Sequence, residues 1–180
     1  MRTTLSRIAA TAAALSLATF LATPAGAVAA DPGERKVRLT SGAPLAGELV
    51  LVLGSLEAFD LEESGQDEVR VELKENGGTY YMWPTNGKEA ETRLGYCWTW
   101  TSAAAKCSGG TRRSAGPYTR LTVAPGASFT IEVWEDDHIG DDLLLSIPVI
   151  SNGGPQEIEG RSTSGKGFSY GLSARIEVAS

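Results

Sequence analysis

Apolar and polar residues alternate in short runs along most of the chain after residue 36. These runs have the two-residue period of a β-strand and are rich in β-branched and aromatic residues, so each predicts a strand. The predicted strands are residues 37–40, 48–53, 68–74, 79–83, 96–101, 119–123, 129–134, 143–150 and 171–178. Asn76-Gly77 lies between two of them and predicts a hairpin, because both residues tolerate a positive φ.

This pattern predicts an all-β fold. The segment 53–64 comes nearest to a helical spacing, but it contains a glycine, and its apolar residues fit the end of a strand better. Eight or nine short strands within about 150 residues favour an antiparallel β-sandwich. A closed barrel is the competing architecture.

The N-terminus predicts export. Residues 1–30 combine two arginines, an apolar alanine-rich stretch and small residues at a spacing that suits cleavage, which is the pattern of a secretory signal peptide. No second apolar stretch is long enough to span a membrane, so the mature chain is expected to have no transmembrane segment. We therefore expect a secreted, extracellular protein with a single domain over residues 31–180, of which 31–44 could be a flexible N-terminal segment.

The mature chain is acidic and carries two cysteines. Removing the two signal arginines from 16 basic residues leaves 14 against 22 acidic residues, a net charge of −8. This balance argues against nucleic acid as a partner, because phosphate binding needs clustered Lys and Arg. In an oxidising compartment Cys97 and Cys107 are expected to form a disulfide.

The acidic residues concentrate in two segments next to predicted strands. Residues 59–71 carry Asp60, Glu62, Glu63, Asp67 and Glu68, and residues 129–145 carry five carboxylates within eight positions: Glu135, Asp136, Asp137, Asp141 and Asp142. Such crowding is unfavourable unless the groups extend into water or surround a cation. Calcium takes six to eight oxygen ligands in flexible geometry, so two acidic loops at one end of a sandwich would suit it. Solvated surface turns are the alternative.

These two segments resemble the first and third calcium loops of C2-type domains, over roughly Leu45 to Val178. The resemblance matches Asp60 and Asp67 to first-loop ligands, and Glu135, Asp137 and either Asp141 or Asp142 to third-loop ligands. Glu62, Glu68 and Asp136 are additional candidates. Two departures, Glu135 in place of an aspartate and Gln66–Val69 after the first loop, imply one ion rather than several, or weak binding. The basic groove that many C2 domains use has no counterpart in the predicted strands.

Three classes of function follow. The resemblance implies a non-catalytic, calcium-binding module of binding or structural type, whose partner could be an extracellular anionic group or a glycan. Trp98 and Trp100 share a face of one predicted strand and could stack on sugar rings in a carbohydrate-binding module, although aromatic residues on a strand face usually form core. A small hydrolase with a carboxylate pair is the third class. His138 is the only histidine, and no sequence motif supports a catalytic triad around it.

Overall fold

A computed structural model describes residues 38–39, 46–86, 88–101, 105–137, 140–162 and 167–180. Within these ranges the chain forms β-strands and no helix, so no described helix is long and apolar enough to cross a membrane. The predicted signal peptide lies outside the described residues, as does the predicted segment 31–44 apart from 38–39.

Twelve strands are present in the described part of the chain. They are β1 Arg38–Leu39, β2 Leu49–Asp60, β3 Asp67–Glu75, β4 Gly78–Trp83, β5 Ala90–Thr92, β6 Tyr96–Thr99, β7 Thr111–Ser114, β8 Leu121–Thr122, β9 Ser128–Asp137, β10 Gly140–Ile150, β11 Gln156–Arg161 and β12 Ser169–Val178. The sequence pattern missed β5, β7 and β11, which are short or largely exposed and therefore lack a clear apolar alternation.

The strands form two sheets. The first has the order β1-β8-β2-β12-β11, with β6 pairing with β2 and β7 pairing with β6; the second has the order β10-β9-β3-β4, with β5 pairing with β3. All pairs are antiparallel except β6 with β7. The predicted antiparallel β-sandwich is therefore confirmed, and the barrel alternative is wrong because the strands divide between two separate sheets.

The sandwich is held by a single large core between the sheets. Leu51, Leu53 and Leu56 of β2 pack there with Ile131 and Val133 of β9. The spacing from Leu53 to Leu56 arises because the register of β2 against β12 shifts at this point, which moves the inward-facing phase by one residue. This shift explains why a segment that belongs to a strand has apolar residues at a helix-like spacing.

Local expectations agree with the structure at two further points. Asn76 and Gly77 have φ values of 48° and 80° and connect β3 to β4 as the predicted hairpin. Cys97 and Cys107 form the predicted disulfide, which joins β6 to the segment 105–110.

The second acidic segment corrects the sequence analysis. The sequence predicts a loop here, but β9 continues to Asp137 and β10 begins at Gly140, so the acidic residues lie on the two arms of a hairpin. Asp136 pairs with Asp141, and Glu135 pairs with Asp142. Only positions 138 and 139, which include His138, separate the strands, and they lie outside the described residues.

Candidate metal centre

The carboxylates of the β9–β10 hairpin lie on opposite faces of the second sheet. Side chains that pair directly across an antiparallel ladder share a face, and successive residues alternate between faces. Glu135 continues the inward phase of Ile131 and Val133 and is 0% exposed. Its partner Asp142 therefore faces inward as well, whereas Asp136 and Asp141 face outward.

A β-bulge decides which aspartate faces inward. Leu145 and Ile147 of β10 are buried in the core. If side chains alternated strictly along the strand, Asp141 would face inward with them and Asp142 would face outward. The register instead shifts between Leu143 and Leu145, which inserts one residue and places Asp142 opposite Glu135. Of the two alternatives that the resemblance left open, Asp142 joins the inward-facing group.

Three carboxylates converge at this end of the sandwich. Glu62, Glu135 and Asp142 each place one oxygen within 4.8 Å of the other two. Glu62 comes from the loop 61–66 between β2 and β3, and the other two come from the hairpin. The loop follows a strand of the first sheet, while the hairpin belongs to the second, so the cluster brings together parts of both sheets.

Asp67 fixes the loop that carries Glu62. Its side chain is 0% exposed and accepts hydrogen bonds from the backbone N–H groups of Glu62 at 3.0 Å and Glu63 at 3.2 Å, and from the hydroxyl of Tyr170. These bonds hold the first turn of the loop against β3 and β12. The carboxylate of Asp67 therefore positions Glu62.

The pKa of Tyr170 is affected by its burial and by the carboxylates around it. Burial, the hydrogen bond to Asp67 and the nearby charges of Asp67, Glu135 and Glu62 hold the pKa of Tyr170 well above its usual range. The phenol therefore stays protonated and continues to donate to Asp67. The neutral hydroxyl of Tyr170 thus lies beside the carboxylates of Asp67, Glu135 and Glu62.

Arg70 pairs with one of the two outward-facing aspartates of the acidic segment. Arg70 of β3 donates to Asp141 at 2.6 Å and to Glu72 at 2.7 Å. The hydrogen bond from Arg70 lowers the pKa of Asp141. The pKa of Asp136 is raised, first by burial and then by its hydrogen bond to Asp141 and by the charges around it. Asp141 therefore has a cation of the protein itself beside it.

The structure distributes the other predicted residues as follows. Asp60 is exposed and accepts from the N–H of Leu61 at 3.2 Å, outside the three-carboxylate cluster. Glu68 accepts from the side-chain amide of Gln66 at 3.3 Å. Asp137 is the last residue of β9 and pairs with Gly140, and its side chain lies outside the described residues.

Sequence reasoning missed Arg70 and Tyr170. Arg70 alternates with the apolar residues of its strand, which indicates an outward position, but nothing in the linear pattern pairs it with Asp141, 71 residues away. Tyr170 lies 103 residues from Asp67. The first contact depends on β9 placing β3 and β10 in one sheet, and the second depends on how the two sheets pack.

The two candidate sugar-stacking tryptophans are half-buried and pack against the core. Trp83 is the centre of this aromatic group, with its ring centroid 5.4 Å from that of Trp98 and 5.1 Å from that of Trp100. The indole N–H of Trp98 donates to Thr92 at 2.9 Å. These contacts give both rings a structural role at the edge of the core.

Comparisons with known proteins give only distant structural likenesses. No family model matches the chain, and no curated protein matches it. Among solved structures, the chain is similar to a C2 domain (TM-score 0.43, 13% identity, covering 73% of this chain and 98% of that one). It is also similar to a structure of two C2 domains of Extended-Synaptotagmin 2 (TM-score 0.42, 12% identity, 79% of this chain and 47% of that one).

A third similar structure is human GIVD cytosolic phospholipase A2, solved with an inhibitor and terbium chloride. Its TM-score is 0.35 at 10% identity, over 76% of this chain and 18% of that one. The chain thus spans less than half the length of two of these three structures. Likenesses at this level do not assign a family, so any function has to be inferred from the side chains of this chain.

Proposed function

We propose that this protein is a secreted, calcium-binding β-sandwich module of binding or structural type, without catalytic activity. The observation that carries the proposal is the convergence of Glu62, Glu135 and Asp142, with oxygens within 4.8 Å of one another and Glu135 fully buried. One calcium ion among these three carboxylates would neutralise charges that otherwise repel.

The donor set suits calcium better than magnesium. Three carboxylates offer up to six oxygens, and backbone carbonyls or water can complete a coordination shell of six to eight. Magnesium requires near-ideal octahedral geometry and loses its water reluctantly, so a site built from a loop and two strand ends fits it poorly. Asp137, which the resemblance to the third calcium loop of C2-type domains also matches, is a further candidate ligand.

The ion would have a structural effect as well as any binding role. It would connect the loop 61–66 to the β9–β10 hairpin and so fix this end of the sandwich. An exposed coordination position could then accept an anionic group of a lipid, a glycan or a partner protein. Export through the predicted signal peptide would place the site where weak calcium binding suffices, since extracellular modules commonly bind calcium with dissociation constants of about 0.1–1 mM.

Calorimetric titration of the purified protein with calcium tests the proposal. We expect one ion per chain, and we expect Glu62→Gln to weaken binding by about tenfold or more because it removes a charged ligand. Asp60→Asn is the matched control, because Asp60 borders the same loop but lies outside the cluster. Absence of calcium binding by the unmodified protein would refute the proposal, and so would equal effects of the two substitutions.

A further inference from the structure

A second candidate site lies on the outer face of the first sheet, away from the core. It is a groove of about 400 Å³ between the segment 105–110 on one side and the edge strand β11 on the other. Ser55 of β2, with Gly171 and Ser173 of β12, forms its floor. The groove takes no part in the metal centre described above.

Gly171 makes room for the Phe59 ring at the edge of the groove. It stands between Glu57 of β2 and Arg161 of β11 in the strand register, and it presents no side chain to the outer face. A Cβ atom at this position would lie 2.9 Å from Cε2 of Phe59, which is closer than such atoms approach. Any larger residue would therefore displace the Phe59 ring, which forms one wall of the groove.

The opposite wall is fixed covalently and by hydrogen bonds. The Cys97–Cys107 disulfide ties the segment 105–110 to β6. Glu57, only 5% exposed, accepts hydrogen bonds from the N–H of Ser108 at 2.8 Å, the hydroxyl of Ser108 at 2.7 Å and the N–H of Gly110 at 3.3 Å. A pre-formed wall of this kind reduces the entropy cost of binding a ligand.

The rim carries donors and acceptors of both charges. Lys106 reaches from the segment 105–110 to Glu159 on β11, and the two side chains of this ion pair are 50% and 57% exposed. The guanidinium of Arg161 lies over the Phe59 ring, with Cζ 3.8 Å from its centroid. Stacking on the ring holds the guanidinium in place while its edge can still donate hydrogen bonds.

We propose that this groove binds a neutral, polyhydroxylated ligand, namely a sugar residue of a glycan. Two cations and two carboxylates line it, so its net charge is zero and it offers no preference for an anion or a cation. A sugar hydroxyl both donates and accepts, which matches the exposed carboxylate of Glu159 beside the ammonium of Lys106 and the guanidinium of Arg161. The volume lies within the range of small-molecule sites, and the Phe59 ring supplies an apolar wall.

The test is a titration followed by amide chemical shifts in NMR. Cellobiose, maltose and N,N′-diacetylchitobiose are added separately to the purified protein in chelator, so that calcium cannot bridge to the sugar. We expect at least one of these disaccharides to cause saturable shifts at Gly171, Ser173 and Ser55, with a dissociation constant on the order of millimolar. The shifts should be absent from the loop 61–66.

Substitutions at the rim make the test specific. Arg161→Ala and Lys106→Ala change side chains at the edge of the groove, and each should weaken binding by at least about fivefold through loss of a charged hydrogen bond. Arg175→Ala is the matched control, because Arg175 lies on β12 and forms a surface ion pair with Glu177 at 2.5 Å without lining the groove. It should leave binding unchanged.

Further probes separate the sugar from ionic ligands. Sodium sulfate and free glutamate are titrated under the same conditions. Shifts at the groove with either of these and with no disaccharide would overturn the assignment to a sugar. Absence of groove shifts with every disaccharide would also overturn it, as would sugar-induced shifts located only at Trp98 and Trp100.

Discussion

Replacing Glu135 with glutamine removes one negative charge from the three-carboxylate cluster and changes the side-chain volume little. The substitution should have opposite effects with and without calcium. In chelator, the variant should be more stable than the unmodified protein, because Glu135 no longer repels Glu62 and Asp142. In calcium, the unmodified protein should be the more stable of the two, because it retains all three ligands.

The magnitudes follow from the geometry. At 4.8 Å, the upper limit of the separation between oxygens of the cluster, two unit charges repel by about 3.5 kcal/mol at an effective dielectric constant of 20. Solvent around Glu62 and Asp142 reduces this to about 1 kcal/mol of relief for the variant in chelator. With a dissociation constant of about 0.1 mM, 1 mM calcium stabilises the unmodified protein by about 1.4 kcal/mol, or about 3–5 °C in Tm.

Thermal unfolding followed by circular dichroism measures both effects on the same samples, in EDTA and then in 1 mM calcium. Glu132→Gln is the matched control: it makes the same substitution on the outer face of β9, where glutamine can still accept from the indole N–H of Trp134. The order of stability of Glu135→Gln and the unmodified protein should reverse between the two conditions. If calcium raises the Tm of both by the same amount, or of neither, Glu135 is not a ligand.

Three other changes should have measurable effects. Replacing Cys97 and Cys107 together with serine should lower the free energy of unfolding by about 3 kcal/mol, from the entropy of the loop they close, and a loss below about 1 kcal/mol in chemical denaturation would contradict this expectation. Hydrogen bonds hold the pKa of Glu57 below its ordinary 4.5 despite burial, so its contribution to stability is present above pH 4.5 and is lost as the pH falls below that value. Glu57→Gln should therefore cost about 1–3 kcal/mol at pH 7 and progressively less in acid, and an unchanged pH profile of the Tm would argue against this reasoning. Arg70→Met should cost about 1–2 kcal/mol, because it removes one of the two cations that pair with Glu72, which is 2% exposed, while Lys74 keeps its contact at 2.6 Å; denaturant midpoints equal to those of the unmodified protein would refute it.

Local sequence patterns determined the secondary structure of the longer strands, one turn and the disulfide. Alternation identified β3, β9 and β10 because each has one face against a large core, whereas β2, which is buried on both faces, was identified by its run of Leu and Val. The β3–β4 hairpin follows from Asn76-Gly77, whose backbone tolerance is a local property. The disulfide follows from two cysteines in a chain expected to be exported.

The composition of the metal centre was decided by tertiary structure. The linear sequence shows ten acidic residues within positions 60–68 and 135–142, but it does not show which of them share a face, because one bulge in β10 exchanges the positions of Asp141 and Asp142. Arg70 then neutralises the outward aspartate, and Asp67 is committed to holding the loop.

These assignments depend on contacts between residues that lie 71 to 103 positions apart along the chain, one across the intervening strand β9 and one between the two sheets. Alternation is a property of one strand and can be read residue by residue. Register, bulges and ion pairs between strands arise only when the sheets form, since each depends on the free energy of packing the whole core. The sequence therefore determined the fold class and the abundance of carboxylates, whereas the tertiary structure decided which carboxylates converge.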